Sequence, residues 1–353
     1  MRISKRLAGQ EPYSPGGKPC KVVLNANESF IPPSDALMTD FRRVVEQTAF
    51  NRYPDPRAEA LCKAFAGLYG LDWENVTAFN GSDESIDLLY ACLVASGDAV
   101  VTVSPDFSMY SHGAYMNDVR EFIYEKEDYC IDVDALLAFA REKDAAMILF
   151  SNPCNPTGIA LPREEVIRLI DGFDGIVCVD EAYMDFGKDS ILDLAGTRSN
   201  LVVLKTCSKA LAMASLRIGF AVTTKEMSML LQAGKAPYNV GRLVQALGVC
   251  MLERHDEIHA NIDRIRRSIA ELAAGLEDLC ERYEVLERVL PTSANYCYVL
   301  TAEAKALYER MQEHDVLVRT YSAGDALRIC CGTDEENAAC LAALEASIKE
   351  LSR

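Results

Sequence analysis

Short apolar runs alternate with amphipathic stretches up to about residue 240. Continuously apolar runs occupy residues 99–103, 145–150, 176–179, 201–204 and 218–222. Runs of this kind are typical of strands that are buried on both faces of a sheet. Helical spacing of apolar positions predicts helices over residues 35–48, 58–69, 82–92, 107–116, 133–142 and 162–171. This alternation predicts an α/β fold, in which helices cover both faces of a mostly parallel sheet.

The pattern changes after residue 240. A long amphipathic stretch over roughly residues 239–280 is predicted to be helical. The remainder predicts a smaller α+β unit with strands over residues 284–286, 296–299, 316–319 and 326–329 and helices over 302–314 and 335–351. We therefore expect a large domain over residues 30–240. An N-terminal arm (1–29) and a small domain (241–353) would complete the chain.

Polar side chains follow the predicted parallel strands where each strand ends. Phe107, Asn155, Asp180 with Tyr183, and the pair Ser208-Lys209 come directly after successive apolar runs. Ligands of such sheets bind beyond the carboxyl ends of the strands, and these ends lie along one edge. The sequence therefore predicts a ligand site at this edge.

Composition and charge narrow the classes of partner. The net charge is −17, which argues against polyanionic partners such as nucleic acid and acidic membranes. The 13 cysteines are scattered without metal-ligand or disulfide-framework spacing, which is typical of reduced thiols in a cytoplasmic protein. No apolar run is long enough for a membrane span, and His255 and His259 have no third ligand, so we expect neither membrane nor metal.

The stretch Thr206-Cys207-Ser208-Lys209 carries the candidate chemistry. Lys209 is interpreted as an amine that condenses with an aldehyde cofactor, while Ser208 and Arg217 hold that cofactor's phosphate. A glycine turn at Asn80-Gly81-Ser82-Asp83 opens a predicted helix, whose free N–H groups suit the same phosphate. Alternatively, Lys209 is a surface lysine after a strand and Ser82 or Asp83 an ordinary helix cap.

The order and spacing of several motifs decide between these alternatives. These motifs are Leu24-Asn25-Ala26-Asn27-Glu28, Arg52-Tyr53-Pro54-Asp55-Pro56, Asn80-Gly81-Ser82-Asp83-Glu84, Asn155-Pro156-Thr157-Gly158, Asp180-Glu181-Ala182-Tyr183, Ser208-Lys209 with Arg217-Ile218-Gly219, Pro237-Tyr238-Asn239-Val240, and Leu327-Arg328-Ile329 before Gly332-Thr333. Together they resemble the fold-type I pyridoxal-phosphate aminotransferases over nearly the whole chain, and in particular the histidinol-phosphate aminotransferase branch. The resemblance implies an aspartate-aminotransferase-like fold.

The resemblance also implies how the cofactor is held. Lys209 would bind its aldehyde, Asp180 would face its ring nitrogen, and Phe107 would stack on its ring, where many relatives have tyrosine or tryptophan. Asn155 and Tyr183 would contact its phenolic oxygen. Its phosphate would be bound by Gly81, Ser82, Asp83, Ser208, Arg217 and, from the other subunit of a homodimer, Tyr53.

Substrate contacts follow from the resemblance too. Tyr13 and Asn27 line the substrate end in relatives, Arg328 matches the arginine that grips a carboxylate, and Arg319 is a candidate for a substrate phosphate. The chain departs from some relatives at Ala339, where they have a further arginine. Tyr110, Tyr115 and Met116 are interpreted as core or dimer contacts.

The resemblance leaves several reactions open. The first is transfer of an amino group from L-histidinol phosphate to 2-oxoglutarate, by a ping-pong mechanism within histidine biosynthesis. An aromatic amino-acid aminotransferase and a threonine-phosphate decarboxylase have related sites. A transcriptional regulator with a degenerate aminotransferase domain is disfavoured, because the enzyme motifs begin by Asn25 and the chain is acidic.

Overall fold

The structure, a computed structural model, describes residues 16–321 and 324–351. Strands in these ranges are β1 (Val22–Val23), β2 (Val76–Phe79), β3 (Ala99–Ser104), β4 (Arg120–Glu125), β5 (Ala145–Ser151), β6 (Ile176–Asp180), β7 (Leu201–Thr206), β8 (Gly219–Val222), β9 (Arg288–Val289), β10 (Tyr296–Leu300), β11 (Val316–Leu317), β12 (Arg319–Thr320) and β13 (Ala326–Cys330). Helices are α1 (Asp35–Gln47), α2 (Glu59–Tyr69), α3 (Ser82–Leu93), α4 (Met109–Met116), α5 (Val133–Glu142), α6 (Arg163–Gly172), α7 (Lys225–Gly234), α8 (Arg242–Leu252), α9 (His255–Arg282), α10 (Ala304–Glu313) and α11 (Asp334–Leu351).

A seven-stranded sheet forms the larger part of the fold, in the order β2-β8-β7-β6-β5-β3-β4. Strands β7, β6, β5, β3 and β4 pair in parallel. Strand β8 is antiparallel to both of its neighbours, β7 and β2, so that β2 again runs in the direction of β7. The predicted mostly parallel sheet is confirmed, with one reversed strand near an edge.

Both faces of this sheet are covered by helices, as predicted. On strand β5, Ile148 and Phe150 pack into one hydrophobic cluster together with residues of α2, α5 and α6. Their neighbours Met147 and Leu149 point to the other face and join a second cluster with residues of α3, α4 and α7. Because alternate side chains of a strand point to opposite faces, a continuous apolar run places apolar side chains against the helices on both faces of the sheet.

A second, antiparallel sheet has the order β12-β13-β10-β9. Helix α9 packs on β9 and β10, and α11 packs on α9 and α10. The N-terminal segment is tied to this part by parallel pairing of β1 with β11, where Val22 lies opposite Val316. This arrangement brings the segment after β1, which contains Asn25 and Asn27, beside strand β13.

Helix starts follow local chemistry. Ser34 caps α1 by accepting a hydrogen bond from the Leu37 backbone N–H at 3.2 Å. Asp132 caps α5 in the same way through the Ala135 N–H at 3.0 Å. Pro162 precedes α6, where its missing N–H costs no hydrogen bond.

Two predictions about strands are wrong, and the predicted helical stretch over residues 239–280 is divided. It forms two helices, α8 and α9, separated at Glu253 and Arg254. Both helices are amphipathic. The chain breaks between them because α8 packs on α1 and α2, whereas α9 packs on the small sheet and α11. The strand expected at residues 284–286 lies instead at β9, where it pairs with β10. Residues 316–319 form two short strands, β11 and β12, which belong to different sheets.

Among the described residues, no helix combines the length and the apolar composition that a membrane span needs.

Candidate active site

The predicted polar residues meet at one edge of the large sheet. Strands β3, β5, β6 and β7 run in parallel, so their carboxyl ends lie along the same edge. Phe107 follows β3, Asn155 follows β5, Asp180 ends β6, and Lys209 follows β7. The expected gathering of these side chains at one edge of the sheet is therefore present.

Lys209 is held between the large sheet and the N-terminal segment. Its Nζ donates a hydrogen bond to the Ala26 carbonyl oxygen at 3.0 Å and lies 5.7 Å from the centre of the Tyr183 ring. Burial lowers the pKa of Lys209 to about 8, and the positive charges of Arg328 and Arg217 act in the same direction. About a tenth of this amine is therefore neutral at pH 7, far more than for an ordinary lysine, and the neutral amine is the form that attacks a carbonyl carbon.

Asp180 lies buried below the site with two hydrogen-bond donors. Its Oδ2 accepts from the Tyr110 hydroxyl at 2.9 Å, and its Oδ1 accepts from the Ala182 backbone N–H at 3.0 Å. Burial raises the pKa of Asp180 to about 6, while both hydrogen bonds oppose that rise by stabilising the carboxylate. The arrangement suits a carboxylate that keeps its charge to pair with a buried cation.

The Tyr183 hydroxyl is oriented by a chain of hydrogen bonds that begins at Cys330 on strand β13. It accepts a hydrogen bond from Asn27 Nδ2 at 2.9 Å. Asn27 is held in turn by Cys330, whose Sγ accepts from the Asn27 N–H at 2.9 Å and donates to its Oδ1 at 2.8 Å. Burial raises the pKa of Tyr183 to about 12, so the hydroxyl keeps its hydrogen. Because Asn27 fills an acceptor position, that hydrogen remains available for donation into the site.

Asn155 and Arg328 are joined directly. Arg328 donates from one guanidinium nitrogen to Asn155 Oδ1 at 2.7 Å and from another to the Asn25 carbonyl oxygen at 2.8 Å. Since Oδ1 of Asn155 is occupied, its Nδ2 group is the part left to donate elsewhere. Arg328 is buried, and its Nε has no hydrogen-bond partner in the part of the chain that the structure describes.

A cradle of backbone and guanidinium lies at the start of helix α3. Arg217 donates to Ser208 Oγ at 3.3 Å and to Asp83 Oδ2 at 3.1 Å. Gly81 precedes α3 with a φ of 86°, and a Cβ there would stand 2.7 Å from an Arg217 nitrogen. At Gly219 an added Cβ would stand 2.5 Å from the backbone of Gly81 and Ser82. Both positions need glycine, which keeps free N–H groups and an arginine together as an anion site.

Phe107 stands at the entrance to helix α4. Its ring is half-buried and meets the Tyr110 ring edge-on, with 5.6 Å between the ring centres. Tyr110 thus touches Phe107 and also bonds to Asp180, which links the predicted ring-stacking residue to the predicted carboxylate.

The two candidate substrate arginines are neighbours on adjacent strands. Arg319 of β12 lies directly opposite Arg328 of β13 in the antiparallel register. Residues directly opposite each other in such a pair share a face, so both side chains lie on the same side of the small sheet. Two like charges in this position are destabilising by themselves, and an anion between them would offset the repulsion.

One predicted site residue, Tyr53, stands apart from this group in the single chain. Tyr53 is 76% exposed and stacks on Tyr238 at 4.7 Å between ring centres. Tyr13 lies outside the described residues. Asn27, expected at the substrate end, is buried and has its side chain engaged by Tyr183 and Cys330.

Residues 19–344 match the family Aminotransferase class I and II. The chain belongs to this family. This aminotransferase is 36% identical over 346 residues to a histidinol-phosphate aminotransferase of Clostridium kluyveri, across 97% of this chain and 95% of that protein. Family membership confirms the fold type, the reaction class and the pyridoxal-phosphate cofactor that the motifs predict.

Solved structures share the fold at lower identity. Histidinol-phosphate aminotransferase from Sinorhizobium meliloti, in complex with pyridoxal-5'-phosphate, has a TM-score of 0.89 at 22% identity and covers 99% of this chain and 98% of that one. L-threonine-O-3-phosphate decarboxylase from Porphyromonas gingivalis has a TM-score of 0.80 at 21% identity, over 94% of this chain and 100% of that one. The fold of this aminotransferase therefore does not by itself separate transamination from decarboxylation.

Sequence reasoning misses three residues that the structure brings to this site. Tyr110, assigned to the core or a dimer contact, is buried but also bonds to Asp180. Its distance of three positions from Phe107 on a predicted helix was a signal, because such residues share a helix face. Cys330 and Tyr321 carry no comparable local signal, since their places depend on how β13 and β12 pair with other segments.

Proposed function

We propose that this aminotransferase uses pyridoxal phosphate to transfer the amino group of L-histidinol phosphate to 2-oxoglutarate. The main structural support for this substrate is the position of Arg319 directly opposite Arg328 on adjacent strands of the small sheet. Histidinol phosphate brings a phosphate, and glutamate and 2-oxoglutarate bring two carboxylates, so each substrate offers anions to these guanidinium groups. Similarity to histidinol-phosphate aminotransferases along the whole chain supports the same substrate.

The residues of the site fit the cofactor. An amine of lowered pKa at Lys209, a buried carboxylate at Asp180 and an anion cradle around Arg217 match its aldehyde, its ring nitrogen and its phosphate. When bound, the cofactor supplies an electron sink for negative charge at the substrate's α-carbon. The glycines at 81 and 219 leave the room beside the cradle that a side chain would fill.

Lys209 carries the proton chemistry in this proposal. Lys209 would hold the cofactor's aldehyde group and, when its Nζ is free, would take up the proton that leaves the amine-bearing carbon of the substrate. The lowered pKa of Lys209 favours this role, because a base must be neutral near the working pH. Tyr183, whose ring lies 5.7 Å from Nζ, stands close to the same reaction path.

The other residues would position charge. Asp180 would hold the ring nitrogen in its protonated form, as a carboxylate beside a cation does. Asn155 Nδ2 and the Tyr183 hydroxyl would donate to the phenolic oxygen, since their other hydrogen-bonding positions are taken by Arg328 and Asn27. Phe107 would cover the ring face.

The phosphate would be bound at the start of α3. We assign to it the N–H groups that follow Gly81, at Ser82 and Asp83, together with Ser208 and Arg217. Tyr53 of the partner subunit would complete the cradle. That residue is 76% exposed in one chain, and the exposed side chains of Val45, Phe50 and Tyr238 supply apolar surface for a homodimer.

At the substrate end, Arg328 would bind a carboxylate and Arg319 a phosphate, with Asn27 and Tyr13 nearby. We also propose a cytoplasmic location and division into a large domain (residues 30–240) and a smaller one (241–353) with an N-terminal arm (1–29). No group of three or more His, Cys, Asp or Glu side chains within the described ranges is arranged to hold a metal ion.

Two other reactions stay as alternatives. An aromatic amino-acid aminotransferase would need the same cofactor residues, and a threonine-phosphate decarboxylase shares the fold. The decarboxylase would break the bond to the substrate's carboxylate and release carbon dioxide, whereas either aminotransferase would remove the hydrogen of the amine-bearing carbon and release a keto product.

A panel of half-reactions separates these alternatives. The purified holoenzyme is offered histidinol phosphate, phenylalanine, glutamate or threonine phosphate alone, and the keto product and carbon dioxide are both measured. We expect keto product from histidinol phosphate and from glutamate. Carbon dioxide from threonine phosphate, or a phenylalanine reaction that exceeds that of histidinol phosphate, would overturn the proposed donor.

A further inference from the structure

In the part of the chain that the structure describes, two buried hydrogen-bond donors at the substrate end have no acceptor. Within the described ranges, the buried side-chain polar atoms without a partner are Asn295 Oδ1, Arg328 Nε and the Tyr321 hydroxyl. Arg328 Nε can only donate, and a phenol usually donates when buried. Leaving a buried donor unpaired is costly, so the two donors point to a ligand that brings acceptor oxygens.

The pairing of the small sheet puts these donors on one face. Tyr298, Arg328 and Arg319 form a row across strands β10, β13 and β12. Tyr321 follows Arg319 by two positions, which is the spacing of residues on the same face of an extended chain. Its ring contacts the Tyr298 ring at 5.9 Å between centres, which agrees with that placement.

Electrostatics tie Tyr321 to the same group. Burial raises the pKa of Tyr321 to about 12, whereas the charges of Arg328 and Arg319 oppose the rise, as nearby cations do. The phenol therefore stays protonated and keeps a hydrogen to donate. The charge of Arg328 lowers the pKa of Lys209, whereas Cys330 raises it. Arg328 is therefore the member of the row that lies near the reacting amine. Arg319 lies opposite Arg328 on strand β12, and Tyr321 directly follows that strand.

We propose that Tyr321 is a specificity residue, whose hydroxyl donates a hydrogen bond to the acidic group at the far end of the substrate. This inference rests on the proposed function, because it assigns a recognition role within that site. The far group is the phosphate of histidinol phosphate in one half-reaction and the side-chain carboxylate of glutamate in the other. A phenol beside a guanidinium can serve both, because each offers anionic oxygens. Tyr321 thereby helps one site to accept two acids of different shape.

The test compares substrates that differ only in the far charge. Wild type, Tyr321→Phe and Tyr129→Phe holoenzymes are mixed with histidinol phosphate or histidinol, and with glutamate or glutamine, in single-turnover half-reactions. Tyr129 is the matched control, because it belongs to the same aromatic cluster through Tyr298 but its hydroxyl is not among the unpartnered buried atoms. For Tyr321→Phe we expect a roughly ten- to hundred-fold loss for histidinol phosphate and glutamate, and a change within about two-fold for histidinol and glutamine.

The loss should appear in the substrate dissociation constant, with little change in the limiting rate, because the far group is bound alike before and during reaction. Equal losses for charged and neutral substrates, or no loss at all, would overturn the role of Tyr321. Failure of the proposed donor is a separate result: wild type would then react with glutamate but not with histidinol phosphate. The glutamate and glutamine pair would still decide the role of Tyr321.

Discussion

At the scale of single residues, the state of Lys209 sets the pH dependence of cofactor capture. A lysine whose pKa is lowered to about 8 changes from mostly charged to mostly neutral as the pH rises through that value. Only the neutral amine attacks the aldehyde, so the rate of capture by cofactor-free protein should rise between about pH 7 and 9 and then level off.

This rate is measured from the growth of cofactor absorbance after mixing at each pH. Lys209→Ala should bind the cofactor without the covalent absorption band at any pH. A capture rate that is independent of pH over this range, or a covalent band in Lys209→Ala, would contradict the assignment of this lysine.

Tyr110 offers a second residue-scale prediction. Replacing it with phenylalanine keeps the ring against Phe107 but removes the donor to Asp180. Loss of a hydrogen bond to the carboxylate raises the pKa of Asp180 further, so the carboxylate is protonated at a higher pH. The acidic limb of the kcat profile should move upward by about one to two pH units, since such a bond contributes about 1.5–3 kcal/mol.

Tyr115→Phe is the matched control for this change, because Tyr115 lies on the same helix, α4, but is exposed. Its profile should overlay that of the wild type. Superimposable acidic limbs for Tyr110→Phe and Tyr115→Phe would show that the Tyr110 hydroxyl does not support the charge of Asp180.

At the scale of elements, strand β8 determines where helix α3 begins. A Cβ at Gly219 would lie 2.5 Å from backbone atoms of Gly81 and Ser82, which cannot move as a flexible side chain does. Gly219→Ala should therefore displace the start of α3 and weaken cofactor binding at least about ten-fold, or about 1.4 kcal/mol. The free energy of unfolding should fall by about 1–3 kcal/mol.

Gly67→Ala is the control for glycine replacement, because nothing lies within 4 Å of an added Cβ in helix α2. It should leave cofactor affinity unchanged and stabilise the helix by about 0.5–1 kcal/mol. Cofactor titration and denaturant unfolding are measured on both variants. Equal cofactor affinity in the two would argue against the strand β8 contact as the support of the cradle.

At the scale of the whole molecule, the proposal of a shared site in a homodimer can be tested by complementation. Tyr53→Ala and Lys209→Ala proteins should each have low activity, because each site would lack one required group. When the two are unfolded and refolded together, a mixed dimer contains one site with both an intact Lys209 and an intact Tyr53 of the partner subunit. Activity should therefore recover to about a quarter of the wild type, if subunits pair at random and sites act independently.

Refolding each variant alone provides the control, and the mass of the assembly is measured by light scattering. A monomeric mass, or mixed protein no more active than its parents, would contradict the shared site. The experiment tests whether the side chain of Tyr53, which is 76% exposed in a single chain, is covered by a partner subunit.

Much of the fold and the candidate site follows from the sequence because the responsible signals are local. Continuous apolar runs determine the central strands, and their alternation with amphipathic stretches determines the order of strands and helices. The motifs around Asp180, Ser208 and Lys209 stand directly after such strands. Their gathering at one edge therefore needed only the rule that parallel strands end together.

Only the tertiary structure decided which side chains meet across segments that are distant in sequence. Tyr110 on Asp180, the relay from Cys330 through Asn27 to Tyr183, and Arg319 opposite Arg328 all depend on strand register or on packing between helix and sheet. The split between α8 and α9 likewise depends on their different packing partners. An apolar pattern indicates that a face is buried but not which element covers it. These contacts, and the roles proposed from them, therefore require the three-dimensional structure.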